Sequence, residues 1–259
     1  MTTLAGWYAT EGRHGHPWRA TRDRWSVLVS EVMLHQTQVA RVVDAWPVFL
    51  ARFPTPEAMA DAEPAAVIEA WGRLGYPRRA RRLWETARVI ATDGWPDDLE
   101  SLPGIGRYTA RAIAAQVDDA DVGAVEVNVR RVVERVSGAS RTDREIEVAM
   151  IDLARPLRGR DRLLALMDLG AGVCRARDPR CGDCPLQDRC EARGPLPHEG
   201  ARRRQPRYEG SLRQRRGGVL GALRVGPTAL GTLDTEALGT LVDDGLAEVD
   251  GSHARLATR

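Results

Sequence analysis

All four cysteines of this 259-residue chain fall within seventeen residues, as Cys174, Cys181, Cys184 and Cys190. The spacing is C-x6-C-x2-C-x5-C, with no cysteine left over. In a cytosolic protein, where thiols stay reduced, such clustering points to a metal site rather than to disulfides. All-cysteine zinc sites usually pair two short Cys-x2-Cys knuckles. Here one short spacing is flanked by two long ones, which favours an iron–sulfur cluster and keeps zinc as the competitor.

A second constellation is Leu102-Pro-Gly-Ile-Gly-Arg-Tyr-Thr-Ala110. It sets Gly104 and Gly106 where a tight turn exposes successive backbone N–H groups at the start of a helix, an arrangement that binds phosphate through amides and the helix dipole. As a bare Gly-x-Gly, the turn reads equally as a plain helix connector.

Apolar residues between Trp25 and Trp46 recur at mostly helical intervals, and Pro56 to Leu74, Arg78 to Thr92, Arg107 to Gln116, Asn128 to Val136 and Asp143 to Ala154 continue a series of helices punctuated by Pro and Gly. No useful strand alternation precedes residue 200, so the expected fold class is all-α up to there. From Pro195 to Gly218 the composition turns to Pro, Gly and arginine, including Arg202, Arg203 and Arg204, against two acids, Glu199 and Glu209. This reads as a basic linker running into a helix, either lying along phosphates or serving as a solvated tether. The tail offers helices over 218–223 and 236–245 and a hairpin turning at Asp250-Gly251, a winged-helix-like pattern. Its presumed recognition helix carries Asp234, Glu236, Asp243 and Asp244, which would repel phosphate, so packing or partner binding competes with DNA reading.

The composition, 43% hydrophobic and 29% charged, excludes a mainly disordered chain. No apolar run reaches membrane-span length and the N-terminus has no basic segment leading into an apolar core, so a cytoplasmic protein is expected. The net charge is +2, and all 38 basic residues are arginine. A lysine Schiff base is therefore not available, and that route could use only the N-terminal amine.

The cysteine spacing, the Leu-Pro-Gly-Ile-Gly turn and the segment Ser30-Glu-Val-Met-Leu-His-Gln-Thr37 together resemble endonuclease III and the MutY-type adenine glycosylases, over about residues 5 to 193. The resemblance implies a two-lobed helix-hairpin-helix DNA glycosylase with a [4Fe-4S] cluster loop. Residues 1–21 and 137–194 would form the cluster lobe, 22–136 a six-helix lobe with the hairpin, 195–216 the linker and 217–259 the winged-helix-like module. That last stretch is too short for the large 8-oxoguanine-reading domain of MutY-type enzymes.

The resemblance also implies roles. Glu31 would protonate the departing base, because a purine leaves poorly as an anion. Glu126, where the family has Asp, would stabilise the cationic sugar or capture it covalently, its extra methylene moving the charge by about one bond length. Gln36 and Tyr76 would wedge into the base stack. Leu102, Gly104, Gly106 and Arg107 of the hairpin, with Arg175 and Arg177 of the cluster loop, would contact DNA, and His35, Tyr108 and Asn128 would line the pocket. Tyr108 stands where bifunctional relatives carry the Schiff-base lysine.

The expected function is monofunctional excision of adenine opposite 8-oxoguanine or guanine in duplex DNA, by a monomer associated with the nucleoid. A same-fold glycosylase for uracil, mismatched thymine or hypoxanthine is one alternative. An inactive lesion-binding or redox-sensing DNA-binding protein is the other.

Overall fold

The computed structural model describes residues 3–200 and 207–259. Twelve α-helices occur among these residues: α1 (Leu4–Glu11), α2 (Arg24–Leu34), α3 (Val39–Arg52), α4 (Pro56–Ala60), α5 (Pro64–Trp71), α6 (Arg78–Asp93), α7 (Arg107–Val117), α8 (Val127–Ser137), α9 (Asp143–Leu153), α10 (Gly159–Gly172), α11 (Leu212–Leu223) and α12 (Thr235–Asp243). Three short strands, β1 (Thr228–Ala229), β2 (Ala247–Asp250) and β3 (His253–Leu256), pair antiparallel in the order β1-β3-β2. The fold is thus mostly helical, as the Pro and Gly punctuation predicts.

Two compact units are present. The first comprises residues 1–31 and 106–203, the second 32–105 and 204–259. These boundaries differ from those expected, because α7 and α8 pack against α10 and so join the unit that holds the cysteines. The core of the first unit is built from Leu4 and Tyr8 of α1, Ala112 and Ala115 of α7, Val129, Val132 and Val133 of α8, Ile146 and Met150 of α9, and Leu163, Leu166 and Leu169 of α10. Each fully buried Val or Leu contributes roughly 1.5–3 kcal/mol relative to exposure. α9 starts at a capping box, in which Thr142 accepts from the Glu145 amide and Glu145 accepts from the Thr142 amide. α8 ends at Gly138, whose φ of 68° suits a residue without Cβ.

The second unit packs α4 and α5 on α6, with Phe49 of α3 edge-on to Trp71 of α5, ring centroids 5.8 Å apart. The expected single helical run through Trp46 is broken over residues 35–38, where Gln36 adopts φ 56°. Likewise, the stretch from Pro56 to Leu74 divides into α4 and α5 around Ala62 and Glu63. The tail belongs to this unit. There α11 and α12 pack together over Leu220, Leu223, Leu238 and Leu241, and the expected hairpin forms but turns at Gly251-Ser252, one residue beyond Asp250-Gly251, because Asp250 still pairs with His253.

Three of the four acids expected to form an open negative face on α12 are paired with arginines, while Asp243 is exposed. Arg215 pairs with Asp234 and Glu236, and both Arg216 and Arg78 pair with Asp244. α11 begins at Leu212, inside the stretch read as linker, while Arg202, Arg203 and Arg204 lie outside the described residues. The start of that stretch is not a tether either, because Leu196 is buried and Glu199 is bound by Arg135. Among the described residues no helix is long and apolar enough to cross a membrane.

Candidate active site and cluster loop

Glu31 is an acid in the α2 stretch Val27–Met33, whose other residues bury completely or nearly so, and it is only 4% exposed itself. A carboxylate so placed must find donors or take up a proton. Its Oε1 accepts a 2.7 Å hydrogen bond from Gln116 Nε2, and the Tyr108 hydroxyl also donates to it. Burial pushes its pKa up, the Gln116 and Tyr108 hydrogen bonds pull it down, and the charge of Glu126 pushes it up again. Tyr108 is raised well above the ordinary phenol value, first by burial and then by the charges of Glu31 and Glu126. The three groups therefore form one electrostatic cluster, with Tyr108 a neutral hydroxyl donor.

Glu126 is the N-cap of α8. Its Oε1 accepts from the backbone amides of Asn128 and Val129, both at 2.8 Å, and its Oε2 from Asn128 Nδ2 at 3.0 Å. The longer side chain folds back onto its own helix, so the carboxylate sits on the positive end of the helix dipole. Burial nevertheless raises its pKa, against the two amides and the Arg131 charge that lower it.

Asn128 is fixed in turn by Arg131, whose Nη2 donates to Asn128 Oδ1 at 2.5 Å and to the Gly170 carbonyl at 2.6 Å, while its Nε donates to the Cys174 carbonyl at 2.7 Å. A Cβ on Gly170 would come within 2.6 Å of the Asn128 Cβ, so glycine is required there for α10 to approach α8.

Cys174, Cys181, Cys184 and Cys190 rim a shared hollow together with Val173, Arg135 and Arg193. Among the described residues no three metal-binding side chains converge on a single-ion position. Four thiols around a hollow suit a cluster's several irons better than one zinc. Burial pushes the Cys184 thiol up to about 11, so holding a metal group means displacing a proton that the free loop retains. Arg135, 1% exposed, donates to the Arg175 carbonyl at 2.8 Å and to Cys174 Sγ at 3.5 Å, and pairs with both Glu199 oxygens at 2.6 and 2.7 Å. Arg135→Met takes the arginine partner from Glu199 and the donor from the Arg175 carbonyl, and is expected to destabilise the fold by about 1–3 kcal/mol, with loss of the cluster's visible absorbance. A variant that melts and absorbs like the parent would remove this role.

The remaining sequence-predicted residues fall in several places. Glu31, Tyr108, Glu126 and Asn128 are brought together in the first unit. His35 belongs to the second unit, where burial and the Arg79 charge lower its pKa. Gln36 and Tyr76 both adopt left-handed backbone, at φ 56° and 47°. Arg79 binds the turns that carry them: its guanidinium donates to the carbonyls of Val32, Met33, His35 and Gly75 at 2.6–3.0 Å and lies over the Tyr76 ring. Burial brings Arg79 itself down to about 10.

Leu102 is buried, and Gly104 turns at φ 78° against Arg82. Gly106 is the N-cap of α7. Arg107 is half exposed and makes a bidentate pair with Glu147, both contacts at 2.9 Å. Arg175 folds back onto the Asp178 carbonyl, and Arg177 is exposed. Sequence reasoning missed Gln116, Arg131, Arg135 and Arg79. The only available signal was Gln116 standing among the apolar Ala112, Ile113 and Ala115 on α7.

The helical scaffold, the glycine turn into α7 and the cysteine loop define a helix-hairpin-helix base-excision architecture. Residues 29–156 match the HhH-GPD superfamily base excision DNA repair protein family, and residues 174–190 match the iron–sulfur binding domain of endonuclease III. An adenine DNA glycosylase of Mycobacterium tuberculosis is 43% identical, covering 98% of this chain and 92% of that protein. Among solved structures, a thermostable thymine-DNA glycosylase aligns with TM-score 0.67 at 27% identity over 73% of this chain and 93% of its own. Endonuclease III in a non-covalent DNA complex aligns with TM-score 0.63 at 21% identity, over 73% and 91%, a likeness of fold. The chain belongs to the HhH-GPD superfamily and, within it, to the adenine DNA glycosylase family, and its cysteine loop is that of a [4Fe-4S] protein.

Proposed function

We propose that the chain is a monofunctional DNA glycosylase that removes adenine mispaired with 8-oxoguanine or guanine. The buried acid Glu31, bound by Gln116 and Tyr108 and electrostatically coupled to Glu126, carries this reading. Glu31 gives its proton to a ring nitrogen of the extruded adenine, and the glycosidic bond breaks with its electron pair going to the base. Glu126, held by three donors, faces the developing positive charge on the sugar. Water adds at the anomeric carbon and its proton passes to a carboxylate, leaving free adenine and an abasic site. With no lysine in the sequence, strand cleavage through a lysine Schiff base is not part of the cycle. When bound, the cluster supplies a covalent cross-link among the four cysteine sulfurs and keeps the loop in shape.

Gln36, Tyr76, the hairpin amides and Arg175 and Arg177 are assigned to DNA binding, with His35 and Asn128 as pocket residues. The short tail is read as a brace for the segment carrying Tyr76 rather than as a second lesion-reading domain. Arg224 donates to the Ile68 and Gly72 carbonyls on one flank of that segment, while Asp244 pairs with Arg78 on the other. Arg224→Met is expected to raise KM for a lesion duplex several-fold with kcat nearly unchanged, as loss of a binding rather than a chemical contribution. Equal KM values in steady-state assays would remove the brace. The activity itself is tested by incubating the protein with duplexes of defined mispairs and measuring alkali-labile abasic product.

A further inference from the structure

We propose that Gln116 is a positioning residue for the Glu31 acid, its amide holding one carboxylate oxygen so that the proton delivered to the base is carried on the other. The inference rests on the glycosylase reading above and deepens it.

The geometry is specific. Gln116 is 1% exposed on a helix whose neighbouring buried positions are Ala112, Ile113 and Ala115, where an apolar side chain would pack at no polar cost. Its Nε2 donates to Glu31 Oε1 at 2.7 Å, a short contact between two enclosed groups. Its backbone is fixed as well. The Gln116 carbonyl accepts from Arg160 Nη1 at 2.9 Å, and the same guanidinium binds the carbonyls of Thr21 at 2.9 Å and Arg19 at 2.6 Å. Arg160 therefore ties the end of α7 to the segment leading into α2.

An amide donor on Oε1 occupies that oxygen and stabilises the ionised acid, which leaves Oε2 as the favoured site of protonation. The groups acting on Glu31 are Gln116 and Tyr108 from α7, Glu126 from the start of α8 and Arg19 from the segment before α2. Arg19 is itself bound to Asp168 of α10 through both carboxylate oxygens. Of these, only Gln116 and Tyr108 hydrogen-bond to Glu31, and only Gln116 is a neutral group that does not titrate.

The test is the pH dependence of single-turnover excision by the full-length holoprotein. Gln116→Met keeps volume but removes the donor. Gln116→Glu keeps shape but places a second titrating carboxyl against Glu31. In the parent, excision falls as pH rises and Glu31 loses its proton. Removing a donor that favours the ionised acid moves this alkaline limb upward, by about one pH unit in Gln116→Met and further in Gln116→Glu, where like charges oppose ionisation. Gln116→Met is also expected to lower the plateau rate by on the order of tenfold through lost orientation. Thermal melting and visible absorbance establish that each variant is folded and loaded.

A plateau that drops while the limb stays in place in both variants would make Gln116 a packing residue and overturn the proposal. An unchanged rate and limb would do the same. If instead Glu31→Gln excises adenine as fast as the parent, the glycosylase reading of Glu31 has failed, a result separate from either Gln116 outcome.

Discussion

Glu31→Gln is expected to slow adenine excision by roughly 100- to 10,000-fold, the usual worth of a general acid, while duplex binding stays within a few-fold. The amide fits the same space and can still meet Gln116 and Tyr108, but it has no proton to give. The same substitution is expected to stabilise the fold at neutral and alkaline pH. Burial raises the pKa of Glu31 above its ordinary 4.5, so the folded state holds a proton that the unfolded chain releases. Stability of the parent relative to Glu31→Gln is therefore lost as pH rises above about 4.5, and the two should melt alike below that. Thermal melts across pH check this. A parent that gains stability over the variant as pH rises would mean that Glu31 is bound as a well-paired carboxylate rather than held as an acid.

Glu126→Gln is expected to cost roughly 100- to 1,000-fold in single-turnover rate, the scale of removing one preorganised charge from the transition state. The fold should tolerate it, because an amide oxygen can still accept from the amides of Asn128 and Val129. Glu126→Asp is expected to stay within about tenfold of the parent, because a carboxylate remains at the helix N-terminus. Activity also requires Glu126 to be ionised while Glu31 is protonated. The rate should therefore fall at low pH through Glu126 and at high pH through Glu31, the two limbs belonging to the coupled pair. A Glu126→Gln enzyme with parental rate would show that this carboxylate takes no part.

The chemistry was most legible where it is encoded in short local spacing. The four cysteines and the Leu102–Arg107 turn are contiguous features whose geometry depends little on the rest of the chain. Glu31 was legible through the Ser30–Thr37 segment that resembles the adenine glycosylases, but what binds it was not, because Gln116 lies 85 residues away in sequence. The buried arginines were the largest omission. In a chain whose basic residues are all arginine, Arg79, Arg131, Arg135 and Arg160 resemble surface charge, yet each caps carbonyls or carboxylates inside a unit. α10 escaped notice because Leu163, Leu164, Ala165, Leu166, Asp168 and Leu169 are all buried, which leaves no polar face to mark a helical period. The break at Gln36 was hidden for a different reason. The left-handed Gln36, beside a His35 carbonyl that Arg79 binds, separates α2 from α3 without any Gly or Pro to signal it.

Excision of mispaired adenine is tested most directly by a single-turnover assay on a panel of otherwise identical duplexes. Adenine opposite 8-oxoguanine or guanine is expected to give alkali-labile product, with no strand break before alkali is added. Product confined to uracil, inosine or mismatched thymine strands would contradict it, as would tight duplex binding with no abasic product on any strand.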